Sequence, residues 1–340
     1  MSATPPPAAV TPRCASRPVS ATPPPAAVTL GTRASNLARA QTDSVVELLV
    51  AAWPGLACYV RMIETQGDRT QASGEPLPEI GGKGLFTLEL ERDLRDCGID
   101  LAVHSLKDLP TEETPGITIA AVCLREDARD CLVGRGGLTL AELPPGAVVG
   151  TSSLRREAQL RAMRHDLDVR SIRGNVDTRV EKVRGGEYDA TLLAAAGIRR
   201  LGLEELVTEW LEPETMLPAP GQGALAVQCR ADDERALALG AAIDDLPTRA
   251  TTTAERVFLR ALGGGCAAPV GAHAGVATPN PSDKVSQGMI LVAMKTLVAS
   301  RDGREVVRVS GEGEPEELGG RLAREALAAG ADAILEAIRA

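Results

Sequence analysis

His104, Ser105, Lys107 and Asp108 follow directly on the apolar run Leu101-Ala102-Val103, so a buried strand empties into a lysine, a hydroxyl and a carboxylate. The end of a strand is where open α/β sheets display their chemistry. Taken alone, Lys107 and Asp108 read equally well as a surface ion pair. The same transition recurs, however. Val28-Thr29-Leu30 leads to Gly31-Thr32-Arg33, and Val148-Val149-Gly150 leads to Thr151-Ser152-Ser153-Leu154-Arg155-Arg156. Val169 to Ile172 leads to Arg173-Gly174-Asn175, with Arg179 closing that turn, and Tyr188 to Ala194 leads past Gly197 to Arg200. Cations repeated at strand ends in a chain of net charge −9 are most simply explained by loops meeting in one anion-binding cleft. Thr151 and Ser153, the amides of the following helix start and the adjacent Arg155 and Arg156 together form a strong oxyanion or carboxylate site candidate.

Two further positions stand out. Lys83 sits among Gly81, Gly82 and Gly84, a backbone with little side-chain cover that suits a mobile loop over a ligand; the GxxxxGK[ST] phosphate-loop spacing is absent. Cys266 follows Gly263-Gly264-Gly265 on an exposed bend, unlike Cys58 and Cys229 in strands or Cys97 on an apolar helical stripe. A structural thiol, a nucleophile and a covalent anchor all fit that position. No histidine is placed to activate a nucleophile, and an anchor needs no such relay.

The elements that position these groups alternate between strand and helix. Ser35 caps a helix striped with Leu37, Gln41, Val45, Leu48 and Leu49; Cys58 to Ile63 is a strand; a helix places Phe86, Leu90, Leu94 and Cys97 inward, with Glu89, Glu91, Arg92 and Asp93 mostly outward. Strands follow at Ile117 to Cys123 and Cys131 to Val133, with a short helix expected over Leu138 to Leu143. Leu217-Pro218-Ala219-Pro220-Gly221-Gln222-Gly223 is the return crossing, before a strand at Ala224 to Cys229 and a helix from near Asp233. Thr252-x-x-Glu255 reads as a capping box. Strands near Met289 to Ala299 and Val306 to Val309, then helices around Pro315 to Ala328 and Ala331 to Ile338, complete the chain. The expected fold is α/β, with two periplasmic-binding-protein-like lobes plus a smaller α+β C-terminal domain. Residues 28–124 and 220–244 form the first lobe, 125–219 the second and 245–340 the third domain, behind a Pro/Ala-rich tail at 1–27; ATPPPAAVT stands at Ala3 to Thr11 and again at Ala21 to Thr29.

With 37 basic and 46 acidic residues and two each of Trp, Tyr and Phe, the chain is a poor nucleic-acid binder, lacking both a general positive field and stacking platforms. No apolar run approaches the roughly 18 residues of a membrane span. Seven cysteines without a CxxC pair and three histidines give no metal spacing and point to reduced, mostly buried thiols in a cytoplasmic protein.

The ordered set Gly31-Thr32-Arg33, Gly81 to Phe86, His104 to Pro110, Gly150 to Arg156, Arg173 to Arg179, Leu217 to Gly223 and Gly264-Gly265-Cys266 resembles the hydroxymethylbilane synthase (porphobilinogen deaminase) family over residues 28 to 340. The resemblance implies one dipyrromethane cofactor per chain, attached by a thioether to Cys266. Four porphobilinogen molecules would be joined head to tail with loss of ammonia, and hydroxymethylbilane released by hydrolysis. Asp108 takes the catalytic role in that scheme. Lys107, Ser105, Thr151, Ser153, Arg155, Arg156 and Arg200 would hold cofactor; Arg33, Arg179, Arg173 and Asn175 would bind substrate or shape its turn; Lys83 would belong to the mobile loop. A monomer is expected. As the one carboxylate among these cations, Asp108 would be held ionised. Gln228, where a glutamate is common in the family, lies in a strand away from the proposed chemistry. Two rival classes explain less. A two-lobed receptor for a small dianion leaves Cys266 and Asp108 idle, and a Cys-dependent hydrolase lacks its base.

Overall fold

A computed structural model describes residues 26–65, 87–263, 268–277 and 290–339. Tail residues 1–25, Lys83 and Cys266 lie outside the described residues, while Ala27 to Thr29, the end of the second repeat copy, already belong to the first strand. The chain opens with β1 (Ala27–Arg33), α1 (Asn36–Ala52) and β2 (Ala57–Ile63), then α2 (Leu88–Arg95), β3 (Leu101–Ser105) and β4 (Ile117–Val122). Ser35 caps α1 as expected, its Oγ accepting the Ala38 amide, and Gln41, Val45 and Leu49 are buried. Leu48, expected on that stripe, is exposed. Gly31 and Thr32, read as a loop, continue β1 instead. A side chain at Gly31 would lie 2.4 Å from Ile99 Cδ1, so glycine is what lets the strand pass.

Two sequence readings around α2 are corrected. Cys97 follows the helix end in left-handed backbone (φ 57°) and is exposed and disulfide-bonded, so it is neither on the apolar stripe nor a free thiol. Glu91 faces inward, where its carboxylate accepts from Thr114 Oγ1 at 3.1 Å and Gln228 Nε2 at 3.4 Å. Cys123, Cys131 and Cys229 are free and buried, and burial pushes each thiol up to about 12.

The chain then crosses to a second sheet with β5 (Asp130–Gly134), β6 (Val148–Gly150), α3 (Leu154–Met163), β7 (Asp168–Arg170), α4 (Val176–Arg184), β8 (Ala190–Ala194), α5 (Ala195–Arg200) and β9 (Glu209–Leu211). It returns through 212–224 to β10 (Leu225–Arg230) in the first sheet. The strand orders are β2-β1-β3-β10-β4 and β7-β6-β8-β5-β9. In each sheet three parallel strands meet one antiparallel strand that has just arrived from the other lobe, β10 beside β3 and β5 beside β8. The expected helix at Leu138 to Leu143 is absent. Pro144 disfavours helical backbone at Leu143, and Glu142 instead closes a turn on the amide and hydroxyl of Thr139.

After α6 (Glu234–Ala241) comes α7 (Leu246–Ala261), which starts with Asp245 as its cap. Thr252 and Glu255 are therefore mid-helix and not a capping box. Thr252 Oγ1 bonds back to Thr248 O, while the fully buried Glu255 binds Arg125 at 2.7 and 3.1 Å and the amides of Gly221 and Ala274. The antiparallel sheet β11 (Val270–Val276), β12 (Val292–Ala299) and β13 (Val306–Gly313) packs on α7, α8 (Pro315–Ala326) and α9 (Asp332–Arg339) around Phe258, Val298 and Leu322. β11 escaped the sequence reading because Gly271 and Ala272 blur its alternation, yet Gly271 is needed where Leu217 O lies 3.1 Å from a built Cβ. No helix among the described residues is long and apolar enough to cross a membrane.

Candidate functional site

A cleft of about 270 Å³ opens where the ends of β3 and α3 face the return crossing. One wall comes from the first sheet. Ser105 ends β3, and a single 3-10 turn, Leu106–Asp108, puts Lys107 and Asp108 at the cleft surface, with Asp108 exposed. Gly221 (φ 75°) lets the crossing pass that turn, since a side chain there would stand 3.3 Å from the Lys107 amide. Burial lowers the Lys107 ammonium to about 8, against the pull of Asp108, and its Nζ donates to Gln222 Oε1 at 3.2 Å. Ser105 accepts from Gln41 Nε2 at 2.8 Å, which orients its hydroxyl.

The facing wall is the start of α3. Ser153 caps it by accepting the Arg156 amide, and Thr151 Oγ1 accepts the Ser153 amide at 3.2 Å. Arg155 and Arg156 occupy the buried face of this helix, at 4 % and 6 % exposure. Both are already paired: Arg155 Nη1 donates to Asp130 Oδ2 at 2.7 Å and to Leu217 O, while Arg156 reaches Asp130 Oδ1 at 2.7 Å and Leu192 O. Burial opposes charge on Asp130, but the two guanidiniums hold its carboxyl far below the usual range. Asp108 is thus not the one carboxylate among these cations. In the sequence Asp130 heads the apolar strand Cys131 to Val133, an irregularity that marks it.

Gln222 links the two walls. Its Nε2 donates to Ala128 O at 2.7 Å and Asp130 Oδ1 at 2.9 Å, its Oε1 receives Lys107, and its carbonyl accepts Arg125 Nε. It sits in the motif Pro-Gly-Gln-Gly, between two glycines of the crossing. Ser152, also unassigned from sequence, lines the cleft and donates to Ile172 O.

Arg179 lines the cleft with Nε on Gly174 O. Burial, with Arg156 and Arg173 adding their charge, lowers its guanidinium to about 10. Arg173 and Asn175 lie beside the lining, Asn175 as the residue preceding α4. Arg33 ends β1, where its charge reaches the buried His104, lowered to about 4 by burial first and Arg33 second. Arg200 donates to Gly223 O at 2.8 Å, bracing the crossing rather than lining the cleft. Gln228 is buried and tied to Glu91, consistent with a place away from this chemistry.

The residues present fit an acidic oligopyrrole. Arg155 Nε is a buried donor with no partner among the described residues, and it belongs to a side chain that lines the cleft beside Lys107, Ser153 and Arg179. Ala219, Pro220, Leu259, Ala268 and Val270 offer apolar contact for flat rings.

Comparison with known proteins agrees. Residues 28–238 match the family described as porphobilinogen deaminase, dipyromethane cofactor binding domain, and 250–328 match the porphobilinogen deaminase C-terminal domain. The porphobilinogen deaminase of Roseiflexus castenholzii is 49% identical over 308 residues, covering 90% of this chain and 97% of that protein. That of Deinococcus radiodurans is 45% identical over 314 residues, covering 91% and 98%. Among solved structures, the VFT2 domain of Bordetella pertussis BvgS is similar at TM-score 0.39 and 13% identity, over 64% of this chain and 86% of that one. The chain belongs to the porphobilinogen deaminase (hydroxymethylbilane synthase) family, transferases of tetrapyrrole and haem biosynthesis that carry a dipyrromethane cofactor.

Proposed function

We propose that this chain joins four porphobilinogen molecules head to tail, releasing ammonia at each addition, on dipyrromethane held by a thioether to Cys266, and frees hydroxymethylbilane by hydrolysis. The observation that carries this reading is an exposed carboxylate, Asp108, in one cleft with Lys107, Arg155, Arg156 and Arg179. When bound, the cofactor supplies the pyrrole carbon to which the first substrate is joined.

The residues divide the remaining work. The acetate and propionate of each ring need donors, and Arg155, Arg156, Arg179, Lys107 and Ser153 provide charged or polar contacts around the cleft. Ser105, Thr151, Arg33, Arg173, Asn175 and Arg200 support that array. Asp108 accepts the porphobilinogen pyrrole N–H. Its negative charge stabilises the cation that develops as the methylene carbon–nitrogen bond breaks and ammonia departs. The same carboxylate would take the ring proton that each addition releases. Asp130 cannot substitute, since both of its oxygens are engaged behind the arginines.

We read the lobes as 28–124 with 220–244 and 125–219, the third domain as 245–340, and the working form as a cytoplasmic monomer. Intact-mass measurement of natively purified protein tests the attachment, with the adduct mapped to Cys266. Cys266→Ser is expected to leave a folded, inactive chain of bare polypeptide mass. Full activity from a preparation without an adduct would overturn the proposal.

A further inference from the structure

A contact from the third sheet's helix reaches the turn that carries Asp108. Arg256, on α7, donates through Nη1 to Leu106 O at 3.3 Å and Leu109 O at 3.1 Å, and through Nη2 to Pro110 O at 2.7 Å. These acceptors bracket Asp108 along the chain. A three-residue 3-10 turn is a weak structure by itself. Its closing bond here is Leu109 N to Leu106 O at 3.2 Å, and Pro110 has no N–H to add. A guanidinium presents several donors in a fixed planar fork, so one side chain can hold carbonyls on both sides of a residue; an ammonium is a single point.

The mount is also rigid. The neighbouring Glu255 is fully buried and ties the same helix to Arg125, to the Gly221 amide beside the Lys107 backbone, and to Ala274 in β11. We propose that Arg256 is a positioning residue for Asp108: by gripping the carbonyls of Leu106, Leu109 and Pro110, it sets where that carboxylate stands relative to Lys107 and the arginines of α3. This rests on the catalytic role proposed above for Asp108. Displacement of a reacting group by an ångström costs on the order of 100-fold in rate, so loss of the grip is read in turnover rather than in substrate binding.

The test uses full-length protein whose cofactor loading is verified by intact mass, and compares single-turnover addition of porphobilinogen in Arg256→Met, Arg256→Lys, Asp108→Asn and the two double variants. Arg256→Met is expected to slow addition by about 30-fold with KM within about twofold, and Arg256→Lys to recover part of the rate. In the Asp108→Asn background, either Arg256 change should cost less than about threefold, because its effect passes through the missing carboxylate. An unchanged rate in Arg256→Met, or an equal loss in both backgrounds, overturns the proposal. Should the Met variant not fold or load, the Lys variant decides by the same comparison. Normal addition by Asp108→Asn alone would instead show that the role given to Asp108 is wrong, and this proposal would fall with it.

Discussion

Asp108 and Asp130 serve the same cleft and are treated in opposite ways. Asp108 ends a 3-10 turn and is exposed. Asp130 heads a strand at 0 % exposure, clasped by Arg155, Arg156 and Gln222. A buried carboxylate shared by two guanidiniums lowers the cost of placing those cations against each other and fixes where they point. An exposed one keeps its oxygens for an incoming group. The difference teaches that charge in this cleft is built in two layers, a fixed inner layer and an outer layer that meets the substrate.

The sharpest break of the comparison is Asp108→Ala. It should keep the fold and the covalent pyrrole while lowering single-turnover addition by about 10²–10⁴-fold, measured by rapid quench. Near-normal addition would remove the distinction between the layers. Asp130→Ala should do the reverse in kind. Two buried guanidiniums lose their counter-charge, so unfolding in denaturant should show a loss of about 3–5 kcal/mol, with cofactor loading impaired as a consequence. Stability within 1 kcal/mol of the parent would show that the inner layer is not structural.

Gly303 probes how the inner layer is held from outside. In left-handed backbone (φ 73°), it lets the loop between β12 and β13 press on α3, where an added Cβ would lie 2.4 Å from Ala162 N. Gly303→Ala should therefore destabilise by about 1–3 kcal/mol and slow cofactor loading. An unchanged melting curve would show that this loop does not brace the arginine helix.

The smallest effect concerns pH. Lys107 is lowered to about 8 in the folded chain, so its charge, and with it one carboxylate contact, is lost as pH rises through that value. KM for porphobilinogen should rise above pH about 8, and Lys107→Arg should flatten that rise. The stability sign is opposite. Between about 8 and the unperturbed value of about 10.4, the unfolded chain binds more protons than the folded one, so this group's contribution to stability improves with rising pH in that window. A KM profile identical in the two proteins would exclude Lys107 from substrate binding.

Much of the site was legible because strand ends and helix starts leave local signatures. Apolar runs broken by Gly, Thr, Ser and Arg marked Arg33, Lys107, Arg155 and Arg179, and the caps at Ser35, Ser153 and Asp233 are where the pattern places them. Readings based on local pattern failed where distant residues decided. Thr252-x-x-Glu255 has the spacing of a helix start, yet Glu255 is claimed by Arg125, 130 residues away in the chain. Arg200 has the company of a ligand-binding arginine, yet it braces Gly223. Glu91 looks outward by composition, yet Thr114 and Gln228 draw it in.

By itself, then, the sequence determined the alternation of strands and helices, the family, and which loops carry cations, since each depends on residues within a turn or two of one another or on motifs in order. Only the tertiary structure decided that Arg155 and Arg156 turn inward to Asp130, that Gln222 joins the two walls, and that Arg256 reaches the Asp108 turn. Those choices depend on which buried charge finds a partner, and the partners are brought together by the two crossings between sheets rather than by sequence distance.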